Sequence, residues 1–137
     1  MSHYYIKPDR DQDFYVVMET EIENWVFAGT AEELAEYEVE FAAERRREYK
    51  ELGLRPTADY EPERYAELVA RSLATADEHG SSSMRGRSRW DRPWVNIENG
   101  YRLRREDLVR YAELTQEGAS EGSKEEAAAL LISPDDD

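Results

Sequence analysis

Apolar and polar residues alternate along the stretch DFYVVMETEIENWVFAG, residues 13–29, near the beginning of the chain. The two alternating sets are Val16, Met18, Thr20 and Ile22 on one side and Val17, Glu19, Glu21 and Glu23 on the other. A period of two is typical of a β-strand with one buried and one solvated face. Because a second apolar run follows at residues 25–27, the pattern predicts a β-hairpin that turns near Glu23 and Asn24.

The pattern becomes helical after this hairpin. Thr30 and Glu33 have the Thr-x-x-Glu spacing of a capping box, in which each side chain accepts a hydrogen bond from the other residue's backbone N–H. A long helix is therefore predicted over residues 31–52, ending where Gly53 can adopt a left-handed conformation and Pro56 prevents continuation. The apolar residues expected to face the sheet are Leu34, Tyr37, Phe41, Tyr49 and Leu52.

A second helix is predicted from about Glu61 to Gly80. Pro62 suits the first helical position, where no N–H bond is needed, and Gly80 suits the helix end. The apolar residues that keep helical spacing are Tyr65, Leu68, Val69, Leu73 and Ala76. The following stretch SSSMRGRS, residues 81–88, has no periodicity and is expected to form a mobile loop.

A second hairpin and a third helix are predicted in the last part of the chain. In WVNIENGYRL, residues 94–103, Asn99 and Gly100 favour the positive φ angles of a type I′ hairpin turn. Residues 104–114 then keep helical spacing. Residues 118–137 change to a composition rich in serine, glycine and aspartate, with a short helix candidate among them.

These elements together predict the fold class. We expect a single α+β domain over residues 1–117, followed by an acidic, semi-ordered tail over residues 118–137. Two β-hairpins are expected to form one antiparallel sheet, and one long and two shorter helices are expected to pack on it.

The charge of the chain narrows the classes of partner. The 137 residues include 32 acidic and 18 basic side chains, which gives a net charge of −14. Unspecific attraction to nucleic acid or to an anionic membrane is therefore disfavoured, and a protein partner with a basic surface is favoured. Neither an apolar signal segment nor a run of about 20 apolar residues occurs, so we expect a cytoplasmic location and no membrane association.

No pattern in the sequence carries a recognisable catalytic chemistry. The chain has no cysteine, no Gly-x-Ser-x-Gly motif and no glycine-rich phosphate loop, so thiolate metal sites, nucleophile elbows and nucleotide cradles have no support. Asp77, Glu78 and His79 are adjacent, but adjacent residues on a helix point in different directions. His79 is better explained as a cation near a helix C-terminus. We therefore expect no metal, no cofactor and no enzymatic activity.

Opposite charges are segregated along the sequence. Residues 11–44 contain eleven acidic side chains and no basic one, whereas residues 85–105 contain seven arginines and two acidic residues. The glutamates of the first helix are Glu32, Glu33, Glu36, Glu38, Glu40 and Glu44. They recur about every 3.6 Å along the helix axis, close to the spacing of about 3.4 Å between phosphates of one DNA strand.

This helix face has two interpretations. Glu32, Glu36, Glu40 and Glu44 are the candidate residues for binding a basic protein partner, with mimicry of nucleic acid as one form of that hypothesis. The other interpretation is a solvated helix whose early acidic residues and late basic residues are favoured by the helix dipole.

The arginine-rich region also contains two tryptophans. Its candidate partner-binding residues are Arg85, Arg87, Arg89, Trp90, Arg92 and Trp94. Arginine and tryptophan are enriched at the centres of protein interfaces, and cations interleaved with aromatic rings also bind single-stranded nucleic acid. The alternative without a partner is that Trp94, alone or together with Trp90, packs in the core. The arginines would then pair with the protein's own glutamates, in exposed ion pairs worth about 0–1 kcal/mol each.

Two resemblances to known families bear on these alternatives. The segment IENGYRLRREDLVRYAEL, residues 97–114, resembles the wing hairpin and following helix of excisionase-type winged helix-turn-helix domains, which implies DNA binding. Across residues 9–114, the order of the stretches DRDQDFYVVMETEIENWVFAGTAEEL, ADEHGSSS and LRREDLVRYAEL is similar to that in small accessory proteins of actinobacterial phages. That resemblance implies an accessory factor that acts in the host cell.

The leading hypothesis is therefore a non-enzymatic phage accessory protein that binds a host or phage protein through its acidic face. The alternative is a nucleic-acid-binding protein that uses the arginine- and tryptophan-rich residues 85–105. Self-association also stays open, because the oppositely charged regions of two copies can meet.

Overall fold

The structure is a computed structural model that describes residues 3–56, 60–83, 88–92 and 94–133. The strands within these residues are β1 (His3–Ile6), β2 (Tyr15–Glu19), β3 (Asn24–Gly29), β4 (Trp94–Ile97) and β5 (Tyr101–Arg104). The helices are α1 (Ala31–Glu51), α2 (Pro62–His79), α3 (Leu108–Leu114) and α4 (Glu121–Leu130). This combination of helices with antiparallel strands confirms the predicted α+β class.

The strands form two separate antiparallel sheets rather than the single sheet predicted from the sequence. β1, β2 and β3 pair in that order in the first sheet, whereas β4 and β5 pair in the second. β2 pairs with β3 on one side and with β1 on the other, and β1 was not predicted from the sequence. Residues 3–6 read HYYI, and this short apolar run has no alternation from which a strand can be recognised.

The central strand β2 is buried on both faces, which contradicts the predicted alternation of buried and solvated residues. Val16 and Met18 pack in one apolar cluster with residues of the second sheet, α3 and α4. Tyr15 and Val17 pack in a second cluster with residues of α1 and α2. The first sheet is thus the middle of three layers. The strand also ends earlier than predicted, at Glu19, and the glutamates that follow lie in a turn.

Helix α1 begins and ends at the predicted signals. The Thr30 hydroxyl accepts a hydrogen bond from the Glu33 N–H at 3.2 Å, and the Glu33 carboxylate accepts one from the Thr30 N–H at 3.0 Å, which confirms the capping box. At the other end, Gly53 has a φ of 73°, and the Leu54 N–H donates back into the last helical turn at 2.8 Å. The prediction that Leu52 faces the sheet is wrong, because Leu52 caps the helix and is 71 % exposed.

Helix α2 ends at the predicted glycine, and this glycine also admits a close contact. Pro62 is the first residue of the helix, and Gly80 follows its last residue with a φ of 86°. A Cβ atom at Gly80 would lie 2.6 Å from the indole ring of Trp90. The Trp90 N–H donates to the His79 carbonyl at 2.8 Å. Gly80 therefore ends the helix and lets the following loop return across that end.

The hairpin of β4 and β5 has a longer connection than predicted. Asn99 and Gly100 do have the positive φ angles expected, 60° and 82°. Ile97 pairs with Tyr101, however, so the connection has three residues instead of the two of a type I′ turn.

The residues after β5 also pack on the second sheet. A 3₁₀ turn at Arg105–Asp107 precedes α3, so the regular helix begins at Leu108 rather than near residue 104. Helix α4 lies in the segment that the sequence analysis set apart as a tail, and its Ala127 is buried in the cluster with β4 and β5. Ile132 then forms a backbone bridge with Arg102 in β5.

The contact between Gly80 and Trp90 can be tested with a matched pair of glycine substitutions. Both Gly80→Ala and Gly53→Ala place an alanine at positive φ, which costs about 1–2 kcal/mol. Only Gly80→Ala also drives a methyl group into a neighbouring ring, since nothing lies within 4 Å of a Cβ at Gly53. We expect Gly80→Ala to lower the free energy of unfolding in urea by about 1–3 kcal/mol more than Gly53→Ala does. Equal losses would contradict the packing role of Gly80.

Candidate functional site

Four glutamates follow one another along the exposed side of α1. Glu32, Glu36, Glu40 and Glu44 are all exposed. None of the four forms an ion pair with a cation in the part of the chain that the structure describes. Like charges four residues apart on a helix destabilise it by about 0.2–0.5 kcal/mol per pair. The arrangement thus costs stability, and the neighbouring described residues do not neutralise it.

Two further glutamates of α1 do not belong to this exposed row, contrary to the expectation from sequence. Glu38 is 0 % exposed, and the carboxylate of Glu33 is engaged in the capping box. The remaining row has one carboxylate per four residues, or about 6 Å along the axis. That spacing no longer matches the spacing of about 3.4 Å between phosphates along one DNA strand. The exposed row therefore does not reproduce the charge density of a single DNA strand.

The row lies beside an apolar depression at the side of β3. Tyr37 of α1 stacks on Phe27 of β3 with ring centroids 4.5 Å apart and planes inclined by 7°. Val39 is 41 % exposed next to them. Phe27, Tyr37 and Val39 line a shallow, open groove of about 770 Å³, together with Glu33, Ala35, Glu36 and Glu40. We call Glu32, Glu36, Glu40 and Glu44 with Phe27, Tyr37 and Val39 the acidic surface.

A buried carboxylate network lies on the opposite side of the same helix. One Glu38 oxygen accepts hydrogen bonds from the hydroxyls of Tyr5, at 2.8 Å, and Tyr65, at 3.4 Å. Its other oxygen lies 2.8 Å from Nδ1 of His3, and Nε2 of His3 lies 3.2 Å from the Glu19 carboxylate. The network joins β1, β2, α1 and α2.

The sequence analysis missed this network. His3 was not singled out, and Glu38 was counted among the glutamates of the first helix. The available signal was the position of Glu38 around the helix. Glu38 lies four residues from both Leu34 and Ala42 and therefore on the same helix face as these two residues, which are buried against the sheet. Because the helix contains many other glutamates, the location of Glu38 on the buried face was not recognised.

The network changes the proton affinities of its members. Burial by itself lowers the pKa of His3, but hydrogen bonding to Glu38 and the charges of Glu38 and Glu19 outweigh it and raise the pKa above its ordinary value. Burial, reinforced by the charge of Glu38, raises the pKa of Tyr5 and of Tyr65. The network therefore favours the cationic form of His3 relative to a free histidine, and the two tyrosines stay protonated as hydrogen-bond donors.

Trp90, one of the candidate partner-binding residues, packs against several neighbouring groups. Trp90 is half-buried, and its indole N–H donates to the Glu78 carbonyl at 3.0 Å. The guanidinium groups of Arg10 and Arg105 lie 4.5 Å and 4.9 Å from its ring centroid, and Gly80 packs against the same ring. The ring of Trp90 is thus engaged by these neighbours, although one part of it remains at the surface.

Arg105 organises this region, although the sequence analysis did not single it out. Its guanidinium donates to the carbonyls of Lys7 at 2.7 Å, Gly80 at 3.2 Å and Arg89 at 3.1 Å, and also to that of Ser88. Burial, with a smaller contribution from the charge of Arg10, lowers the pKa of Arg105. One side chain therefore ties the end of β1, the end of α2 and the arginine-rich loop together.

The other candidates in this region have different environments. Trp94 is half-buried, and the guanidinium of Arg102 lies 5.4 Å from its ring centroid. Arg89 and Arg92 are exposed, and within the described residues neither forms the ion pair with a glutamate that the sequence analysis considered. Arg85 and Arg87 lie outside the described residues. Trp90 and Trp94 share a second depression of about 470 Å³ with Pro8, Arg104, Arg105 and Glu106.

Comparisons of the chain with protein-family models, with curated proteins and with solved structures gave no match. Within the described ranges, no group of three histidine, aspartate or glutamate side chains is arranged to hold a metal ion. None of the helices in those ranges combines the length and the apolar character that crossing a membrane requires.

The buried network predicts that stability depends on the charge of His3. Because the folded-state pKa of His3 is raised, its contribution is fully present below about pH 6.5 and is lost as pH rises through the folded-state value. We expect the free energy of unfolding to fall as the pH rises above about 6.5. Each unit of difference between the folded and unfolded pKa contributes about 1.4 kcal/mol.

Urea denaturation at a series of pH values measures this dependence. His3→Gln should remove most of the decline, whereas the control His79→Gln, at a half-exposed histidine, should keep it. An equally steep decline in His3→Gln would refute the assignment.

Proposed function

We propose that the chain is a non-enzymatic accessory protein, of the kind found in actinobacterial phages, that binds a partner protein through the acidic surface. The observation that carries this proposal is the row of four exposed carboxylates without ion-pair partners among the described residues. Carboxylates placed where they repel one another are expected when a cationic partner supplies the missing charge.

The apolar part of the acidic surface defines the chemistry of the partner further. Interfaces between proteins commonly combine an apolar centre with a polar rim. Phe27, Tyr37 and Val39 would be the centre here, and the glutamates of α1 would be the rim. The partner segment therefore carries several arginine or lysine residues together with apolar side chains. Electrostatic attraction makes such an association fast and sensitive to salt.

We favour a protein partner over nucleic acid because of the environment of the tryptophans. Single-strand binding uses aromatic rings on which bases can stack. The ring of Trp90 is already covered by Arg10, Arg105 and Gly80, and Trp94 lies beneath Arg102. Nucleic acid would have to displace these contacts before stacking.

A labelled peptide of alternating arginine and valine, (Arg-Val)5, provides a direct test. We expect it to bind the protein at low salt, as measured by fluorescence anisotropy, and to bind less tightly as salt is raised. The double variant Glu36→Gln/Glu40→Gln should weaken binding about fivefold, which corresponds to about 0.5 kcal/mol for each lost pair.

The matched control is Glu113→Gln/Glu125→Gln. It removes the same charge from exposed positions on α3 and α4, away from the acidic surface. Binding should change by less than a factor of about two in this variant, because distant exposed charges are screened. If both variants weakened binding equally, net charge rather than the acidic surface would be responsible, and the proposal would be refuted.

A further inference from the structure

β3 is an edge strand whose outer side is unpaired within the described part of the chain. It pairs with β2 on one side, and no other described backbone group hydrogen-bonds to β3 on the other side. Its sequence, NWVFAG, contains neither a charged residue nor a proline. Charged residues and prolines are two of the features with which proteins commonly protect an exposed edge strand. β3 does contain a bulge, which is another feature that can protect an edge, and the bulge leaves Val26 without a partner in β2.

The acidic row of α1 runs beside this edge. Glu33, Tyr37, Glu40 and Glu44 are separated by four, three and four residues in turn. Residues with these separations lie on one face of a helix. Tyr37 is the member of this set that stacks on Phe27 of β3. The stack therefore places this side of α1 next to Phe27, and Glu36 and Glu40 line the same groove as Phe27.

We propose that an extended basic segment of the partner protein adds to the free edge of β3 as a fourth strand of the first sheet. The inference rests on the proposed function and specifies how the partner binds. Backbone hydrogen bonds to β3 would hold the segment, and its cationic side chains would meet the carboxylates of Glu36, Glu40 and Glu44. Strand addition to an exposed edge is a common mode of peptide recognition.

The geometry of a strand also defines the pattern of the bound segment. Successive side chains of a strand point to opposite faces of the sheet. On one face these side chains would meet the glutamates of α1, and on the other face they would meet Trp25. The Trp25 side chain is half-buried, and its indole N–H donates a hydrogen bond to the Thr115 hydroxyl at 2.7 Å. The segment should therefore alternate basic with apolar residues.

A second copy of the chain fits this edge less well than a basic partner. Pairing of two β3 edges would bring two acidic α1 helices together, and each chain has a net charge of −14. Repulsion between them opposes that contact. A cationic segment meets the same carboxylates with attraction.

N-methylation of the (Arg-Val)5 peptide tests strand addition without changing the protein. A strand uses the N–H groups of alternate residues on one edge, so methylation of either the arginine amides or the valine amides blocks one edge of the peptide only. Strand addition predicts that one of the two methylated peptides loses at least about tenfold in affinity, equal to about 1.4 kcal/mol. The other should stay within a factor of about two of the unmodified peptide. Amide hydrogen exchange should also show new protection in β3 when the unmodified peptide is bound.

The outcomes separate this inference from the proposed function. If both methylated peptides bind like the parent and Glu36→Gln/Glu40→Gln still weakens binding, side chains alone make the contact and strand addition is wrong. Equal losses for both methylated peptides also overturn it, because an edge contact is one-sided. Absence of binding by the parent peptide overturns both proposals. A dimer with protected β3 amides in the absence of peptide would assign the edge to a second copy instead.

Discussion

The packing of the first sheet against α1 and α2 depends on the hydrogen bonds made by the buried carboxylate of Glu38. A charge withdrawn from water costs several kcal/mol unless hydrogen bonds and an opposite charge replace its hydration. For Glu38 these come from His3 and Tyr5 in β1 and from Tyr65 in α2. The apolar cluster between these layers is thereby given one specific arrangement, since any displacement of β1 or α2 would leave the carboxylate without its partners.

Helix α1 consequently carries glutamates with two opposite roles. Towards the sheet, Glu38 is fully compensated and contributes to the architecture. Away from it, the exposed row forms no ion pair with a cation among the described residues. Tyr37 lies between the two, stacked on Phe27 and in a parallel arrangement with the His3 ring at 6.5 Å. The internal network and the proposed binding surface therefore share one aromatic side chain.

Local signals in the sequence were sufficient to predict the ends of α1 and α2 but not the partners across the fold. The Thr30 capping box and the glycines at 53 and 80 act over one helical turn, and each appears in the structure where predicted. The network of His3 and Glu38 spans 35 residues of sequence, and the contact of Arg105 with Lys7 spans 98. Such contacts have no periodic signature. The single-sheet prediction failed for a related reason, because nothing local distinguished β1 from a disordered beginning of the chain.

Arg105 also constrains how the sequence can change over evolution. Its four carbonyl acceptors come from three separated segments, and its side chain shares the ring of Trp90 with Arg10 and Gly80. A smaller residue at position 105 would leave those carbonyls unsatisfied, and a smaller one at position 90 would leave a void above the glycine. Homologous chains should consequently either keep Gly80, Trp90 and Arg105 together or replace all three together. The residues at these positions should therefore covary even where the sequence of the surrounding loop diverges.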